Sequence, residues 1–442
     1  MTDCNTRPIR FSSLKSKKIA ADFDGGRLTS DAGGLLLREA DRKLGLTRKL
    51  AACIPDPRNP LMTLHDQHTM LAQRIFGIAL GYEDLNDHDT LREDPLFALM
   101  ADRQPDPDQP LASPPTLCRL ENRIDAKSLS RMSTVFVETF IASHKRPPKE
   151  LILDFDATDD RIHGDQEGRF FHGYYDSYCF LPLYVFCGDH LLVSYLRPSN
   201  IDAALNSRAI LKLLVQRFRQ VWPKVRIIIR ADSGFCRWKM MKWCDKHDVF
   251  YVLGLARNSV LEKIAKPFMA KAETAFTRTG EKQRRFHEIK YAAETWDRKR
   301  RVIVKAEYLP LGPNVRFVVT NLVDRTPEQI YDDLYTARGD MENRIKEQQL
   351  GLFADRTSCH KFLANQFRLL LASAAYILVD HLRRTALADT DLRSAQVTTI
   401  RLKLFKIAAR VIASVRRIVF HLSSSCPYQP VFRRAAAHLV ST

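Results

Sequence analysis

Asp154 and Asp156 stand two residues apart in Leu151-Ile-Leu-Asp-Phe-Asp-Ala157, a stretch that is otherwise apolar. On a strand, residues at that spacing point to the same face. Burying either carboxylate among Leu151, Ile152, Leu153 and Phe155 is costly unless it is paired or bound to a metal. Asp232 ends a second apolar run, Ile227-Ile-Ile-Arg-Ala-Asp, and the glycine that follows lets the chain turn sharply. Ligands of open α/β sheets bind at such strand ends. The segment 327–349 is rich in acids, and Glu342 is singled out by its neighbours. Tyr335, Arg338 and Glu342 are spaced by three and four residues, which is one helical face, and Lys346 extends that face by a turn. Three carboxylates can hold two Mg²⁺ ions about 3.5–4 Å apart, one activating water or a 3′-hydroxyl and the other stabilising the leaving oxygen. On this reading Arg338 and Lys346 grip phosphate oxygens and Tyr335 packs on a sugar or base. Each acid also has a plainer reading: a turn cap for Asp154 or Asp156, a helix cap for Asp232, a solvated pair with Lys346 for Glu342. The joint pattern is far more specific than any one acid.

Composition points the same way. Among 442 residues, 69 Lys and Arg stand against 51 Asp and Glu, a net charge of +18 that favours a polyanionic partner. Nine scattered cysteines without a CxxC exclude a zinc ribbon and a disulfide framework, which fits a reducing cytoplasm. There is no apolar uncharged run long enough for a membrane span, no secretory leader, and no GxxxxGK[ST] loop for ATP.

The elements that must position these groups follow from periodicity. Residues 1–145 read as a mainly helical, DNA-binding region. A capped helix begins near Asp31, a second covers 63–81, and one long helix follows Thr116, with proline-rich loops between them. The character changes near 150. Strands around 151–156, 179–197, 226–232 and 249–257, with helices at 203–222 and 237–248, give a mixed α/β sheet. Residues 146–257 form the first part of this core, with Asp156 and Asp232. Residues 258–322 read as a β-rich insertion, and 323–385 as the last part of the core, with the Glu342 helix. Residues 386–442 form a basic helical region, with one amphipathic helix over about 398–422 that carries Arg401, Lys403, Lys406, Arg410, Arg416 and Arg417.

Taken together, LTSDAGGLLLRE, DLNDHDTLREDP, LASPPTLCRLEN, LDFDATDD, GDQEGRFFHGYYDSYCFLPLYVF, RADSGF, YVLGLARN and RGDMENRIKE resemble the DDE transposases of bacterial insertion sequences, in particular the 1380 family, over about residues 20–385. The resemblance implies an RNase H-like catalytic core with a β insertion. It implies Asp156, Asp232 and Glu342 as catalytic and metal-binding residues, with Asp154 as the alternative first acid. The Asp-Ala-Thr order favours Asp156. It also implies two Mg²⁺ ions, which Mn²⁺ can replace. The helix is similar to a Tyr-x2-Arg-x3-Glu-x6-Lys signature and departs from it at the last position, where Gln349 stands and Lys346 is the nearest substitute. Related elements excise by hairpin formation.

The partners implied are double-stranded DNA, both the terminal inverted repeats and the target, and a second copy in a paired-end complex at the bacterial nucleoid. No membrane and no ATP are called for. Arg119, Arg123, Lys406 and Arg410 are further candidate phosphate contacts. The rival readings are a nuclease on the same fold that cuts without joining, and a DNA-binding remnant without chemistry.

Overall fold

The computed structural model describes residues 8–440. The chain divides into two compact units, Met1–Glu121 with Leu378–Thr442, and Asn122–Ile377.

The first unit opens on a hairpin of β1 (Ile9–Leu14) and β2 (Lys17–Ala21), followed by the short β3 (Leu28–Thr29). Helices α1 (Gly34–Leu44), α2 (Leu46–Ala52), α3 (Gln67–Leu80), α4 (His88–Leu91), α5 (Pro95–Met100) and α6 (Pro114–Asn122) come next. α1 begins at Gly34 rather than near Asp31, whose carboxylate is taken by Ser30, by the Tyr82 hydroxyl at 2.7 Å and by Lys406 at 2.6 Å. The helix expected after Thr116 is two helices. The chain breaks after α6, and Asp125 Oδ1 accepts from the Ser128 amide at 2.6 Å to start α7 (Ala126–Ala142) afresh.

The second unit is built on one eight-stranded sheet. Its first strand is β4 (Glu150–Ala157). A small side sheet of β5 (Asp160–Arg161), β6 (Phe170–His172) and β7 (Ser177–Phe180) follows, then β8 (Leu183–Cys187) pairs antiparallel with β4 and β9 (His190–Tyr195) pairs antiparallel with β8. The β8–β9 turn is Gly188-Asp189, with Gly188 at φ 59°, as a tight hairpin requires. Helix α8 (Ser207–Val221) leads to β10 (Arg226–Ala231), and α9 (Trp238–Lys246) leads to β11 (Phe250–Leu255). β10 lies parallel between β4 and β11, so these five strands take the order β9-β8-β4-β10-β11 of an RNase H-like core. After α10 (Ser259–Thr279), strands β12 (Gln283–Tyr291), β13 (Arg300–Leu309) and β14 (Gly312–Thr320) join the same sheet through β14 against β11. The β-rich stretch is therefore an extension of the main sheet.

Alternation along β4 and β10 sorts the two faces. Leu151, Leu153, Phe155, Ile227, Ile229 and Ala231 belong to a core packed by α7, α8, α9 and α10. Ile152 and Ile228 belong to the opposite face, under Ile330, Tyr331 and Leu334. That cover is one helical run: a π turn at Gln329–Tyr335, a 3-10 turn at Thr336–Arg338, α11 (Gly339–Lys346) and a second π turn at Glu347–Gly351.

α12 (Phe362–Thr385) is long and apolar enough to cross a membrane, but 89% of its apolar window is buried, as in a core helix. Its Gln366 Oε1 accepts from the Leu196 amide at 2.7 Å, and Ser373 Oγ meets Ser194 Oγ at 2.7 Å.

The helix expected over 398–422 does not form. α13 (Val397–Ile400) and a π turn to Phe405 give way to a hairpin of β15 (Ala409–Ala413) and β16 (Ile418–Leu422), and β15 also pairs with β3. The stretch is rich in β-branched residues, and Ala409 and Val411 are buried while Arg410 and Ile412 are exposed. A short apolar run fits either period until its partners decide. The chain ends on α14 (Gln429–Val440).

Candidate active site

Three residue pairs step along the second face of the sheet toward the strand ends. In the parallel register Ile228 lies beside Ile152 and Arg230 beside Asp154. Ala231 lies beside Phe155, so Asp232 follows next to Asp156. The first pair is apolar. The second is a buried ion pair: Arg230 Nε and Nη2 donate to the two Asp154 oxygens at 2.5 and 2.7 Å, and Nη1 donates to the Leu334 carbonyl at 2.5 Å. The structure therefore places Asp154 in a bidentate pair that satisfies it, whereas Asp156 and Asp232 are left side by side at the open end.

Asp232 Oδ1 accepts from the Gly234 amide at 2.9 Å, which turns the chain at the end of β10. Asp156 Oδ1 accepts from the Ala157 amide at 3.0 Å. The helical run brings the other groups. Arg338 Nη1 donates to Asp156 Oδ2 at 3.2 Å, and Nη2 donates to Glu342 Oε1 at 2.7 Å. Tyr335 reaches across to Gly254 on β11. A Cβ at Gly254 would lie 2.5 Å from the Tyr335 hydroxyl and 3.0 Å from the Ser233 amide, so only glycine admits the ring beside the Asp232 turn. α11 is fixed from below by Arg344, which donates to Asp189 at the β8–β9 turn.

Burial pushes the Asp156 carboxyl up to about 7; the Arg338 guanidinium opposes this, while the Asp232 and Glu342 charges add to it. The same two carboxylates and Asp156 act on Arg338 and hold its proton more firmly, against its burial. Asp156, Asp232 and Glu342 thus form one electrostatic group with Arg338 in its midst. Among the described residues no three His, Cys, Asp or Glu side chains stand close enough to enclose a single ion. The donor set is nonetheless of the right kind for a hard divalent cation. It offers only carboxylate oxygens, and burial, with Asp232 and Glu342 adding to it, already raises Asp156 toward neutrality.

The profile of the family described as transposase DDE domain group 1 matches residues 11–442. The chain belongs to that family. No curated protein matches it. Among solved structures it is similar to a piggyBac transposase synaptic complex with hairpin DNA, at 10% identity and a TM-score of 0.39, over 85% of this chain and 80% of that one. This likeness is too distant to support residue assignments. Membership makes the protein a transposase, with the general capacity of DDE domains to break and exchange phosphodiester bonds.

The other sequence candidates of this transposase fall in both units. Lys346 is exposed one turn beyond Glu342. Arg119 is exposed on α6, and Arg123 lies half-buried at the break before α7. Arg410 is exposed on β15. Lys406 is held inside its unit, paired with Asp31 and lying 4.2 Å from the Tyr82 ring centre.

Two groups escape a reading by motif alone. Arg230 sits in an apolar strand and pairs with Asp154; a lone arginine among isoleucines was the available signal. Gln349 donates to the Asp159 carbonyl at 3.0 Å and to Asp160 Oδ1 at 2.9 Å. It ties the segment after Glu342 to the loop after Asp156. Asp160 is fully buried, and burial drives its carboxyl well above the ordinary range.

Proposed function

We propose that this transposase cuts at the ends of its element and joins the freed ends to target DNA, with Asp156, Asp232 and Glu342 as the reactive carboxylates. One observation carries the reading. Two acids lie side by side at the ends of neighbouring parallel strands, and a third is linked to the first through Arg338. The three acids would hold divalent cations, Mg²⁺ or Mn²⁺, two per site, which supply charge stabilisation at the attacking and leaving oxygens. Water adds to the phosphorus at the element's end as the P–O3′ bond breaks, leaving a 3′-hydroxyl. That hydroxyl then attacks a target phosphate, and one phosphodiester replaces another without ATP.

Arg338 presents its guanidinium to a non-bridging phosphate oxygen while keeping Glu342 in place. Tyr335 braces the Asp232 turn and faces a sugar or base. Lys346 and Arg123 on the second unit, and Arg119 and Arg410 on the first, each contact DNA phosphates. The protein acts as a dimer on paired ends, at the bacterial nucleoid, and hairpin formation is the excision route the resemblance favours.

The test is cleavage and joining of a labelled duplex carrying the gene's flanking repeat. Wild type and Glu342→Gln are compared with Mg²⁺ and with chelator. Nicking and strand transfer by wild type alone, and only with metal, is expected. Cutting without joining would replace transposition by nuclease action. Tight binding without chemistry by either protein would remove the three-carboxylate mechanism.

A further inference from the structure

Between β4, which carries Asp156, and β8, the chain leaves the main sheet to build the β5-β7-β6 side sheet. β6 and β7 form a hairpin with His172 opposite Ser177 and Gly173-Tyr-Tyr-Asp176 at its tip. Four of its rings open to solvent: Phe170 at 42%, Phe171 at 53%, Tyr174 at 85% and Tyr178 at 49%. They are gathered rather than scattered. Phe171 and Tyr178 lie 5.6 Å apart, and Tyr174 and Tyr175 lie 4.9 Å apart, both edge to face. An exposed aromatic cluster of this kind marks a contact surface.

Its position relates it to the candidate site. Asp156 lies opposite Tyr184 on β8, and four residues later Asp160 and Arg161 lie opposite Phe180 and Cys179 on β7, so the base of the hairpin continues from the strand end that carries Asp156. Its charge says what kind of partner it fits. Asp165 pairs with Arg169 at 2.9 Å, Asp159 lies 3.7 Å from Arg161, and Glu167 Oε2 accepts from the Phe362 amide at 3.1 Å. Arg169 also lies 5.0 Å from the Tyr178 ring centre. The charges of the segment are thus paired within it or, for Glu167, held by α12, and apart from Asp176 at the tip the exposed surface of the hairpin is aromatic. Phosphate backbones are followed by rows of cations. Aromatic faces instead take the faces of bases, which a duplex exposes only where its strands are apart.

We propose that the Phe170–Tyr178 hairpin is a stacking platform for unpaired bases at the DNA end being cut, with Phe171 and Tyr174 as the presented rings. The inference rests on the transposase reading and adds a base-recognising element to it. The hairpin holds the opened end beside Asp156 while the strand is cleaved.

The test uses the full chain and two fluorescent duplexes carrying the flanking repeat, one fully paired and one with its terminal base pairs mismatched open. Anisotropy is expected to show wild type preferring the open end. Tyr174→Ala is expected to reduce that preference by about 5- to 150-fold, the range for one stacked base, with paired-duplex binding unchanged and Tyr174→Phe equal to wild type. Both rings are exposed, so folding is not at stake, and Phe171→Ala gives an independent second variant. An unchanged preference in both alanine variants overturns the platform. A fall in self-association by light scattering, with DNA binding untouched, overturns it in favour of a second copy on this face. Wild type that cleaves but binds the two probes equally removes the platform alone. Wild type that neither binds nor cleaves removes the proposed cutting at these ends and the platform together.

Discussion

Asp156→Asn isolates the electrostatic strain of the site. In an unfolded chain the Asp156 carboxyl ionises near 3.8, whereas in the folded protein burial and the neighbouring acids hold it near 7. Below the unfolded value it is protonated in both states and stability is unaffected. As pH rises from there toward 7, the unfolded chain gives up its proton while the folded one keeps it, so stability falls. Above 7 the loss is complete, at most about 4 kcal/mol at 1.36 kcal/mol per pKa unit. Asparagine keeps the shape and the Ala157 amide bond without titrating. The variant is therefore expected to match wild type in acid, to pull ahead between about pH 4 and about pH 7, and to stay ahead above that. Urea unfolding in chelator across this range reads the gap. Added Mg²⁺ should then stabilise wild type more than the variant, since a ligand stabilises only the state that binds it. A gap that does not change with pH, or a variant less stable than wild type in alkali, would refute the reasoning.

Three further outcomes follow from named contacts. Arg230→Met leaves the buried Asp154 carboxylate without its bidentate partner and should cost about 3–5 kcal/mol in chemical unfolding, most of it recovered by adding Asp154→Asn. Gly254→Ala drives a methyl against the Tyr335 hydroxyl; strand cleavage should fall well before DNA binding does, and Tyr335→Phe in the same chain should restore part of it. Gln349→Ala removes the amide donor of Asp160 and should lower stability by about 1–3 kcal/mol, the cost of a buried acceptor left unsatisfied.

How much of this was legible in the sequence differs by element. The strands around Asp156 and Asp232 are short, apolar and β-branched, and their ends announce themselves by an acid and a turn. The parallel pairing that sets the acids side by side follows once α8 separates the strands, because a parallel neighbour needs a crossover. The sharing of Asp154 and Asp156 between two tasks was not legible. Both point to one face, and only the Arg230 register shows which of them is neutralised. The tail failed for a different reason. Its basic, apolar run from 398 to 422 satisfies a helical period, but β3 offers a strand edge and Asp31 fixes Lys406, and neither partner is visible from local pattern. The β12–β14 strands were legible as strands, yet their joining of the main sheet depends on the open edge of β11.

The helical run over the site explains why the spacing of three and then four residues is itself informative. In a 3-10 turn residues three apart eclipse, so Thr336–Arg338 brings Arg338 into line with Tyr335. From Gly339 the run is α-helical, and residues four apart become neighbours, which is how Arg338 meets Glu342 at 2.7 Å. Before this stretch, the π turn at Gln329–Tyr335 widens the helix, and the Leu334 carbonyl meets Arg230. A uniform α-helix would rotate by about 100° at every residue, a single fixed register. The changes of register let a single segment touch the Arg230 pair, the Gly254 gap and the Asp156 end in turn. A site assembled this way ties the Glu342 carboxylate to the depth of the sheet. Repacking at Ile330, Tyr331 or Leu334, well away from the acids, should therefore reach the chemistry through the helix that carries them.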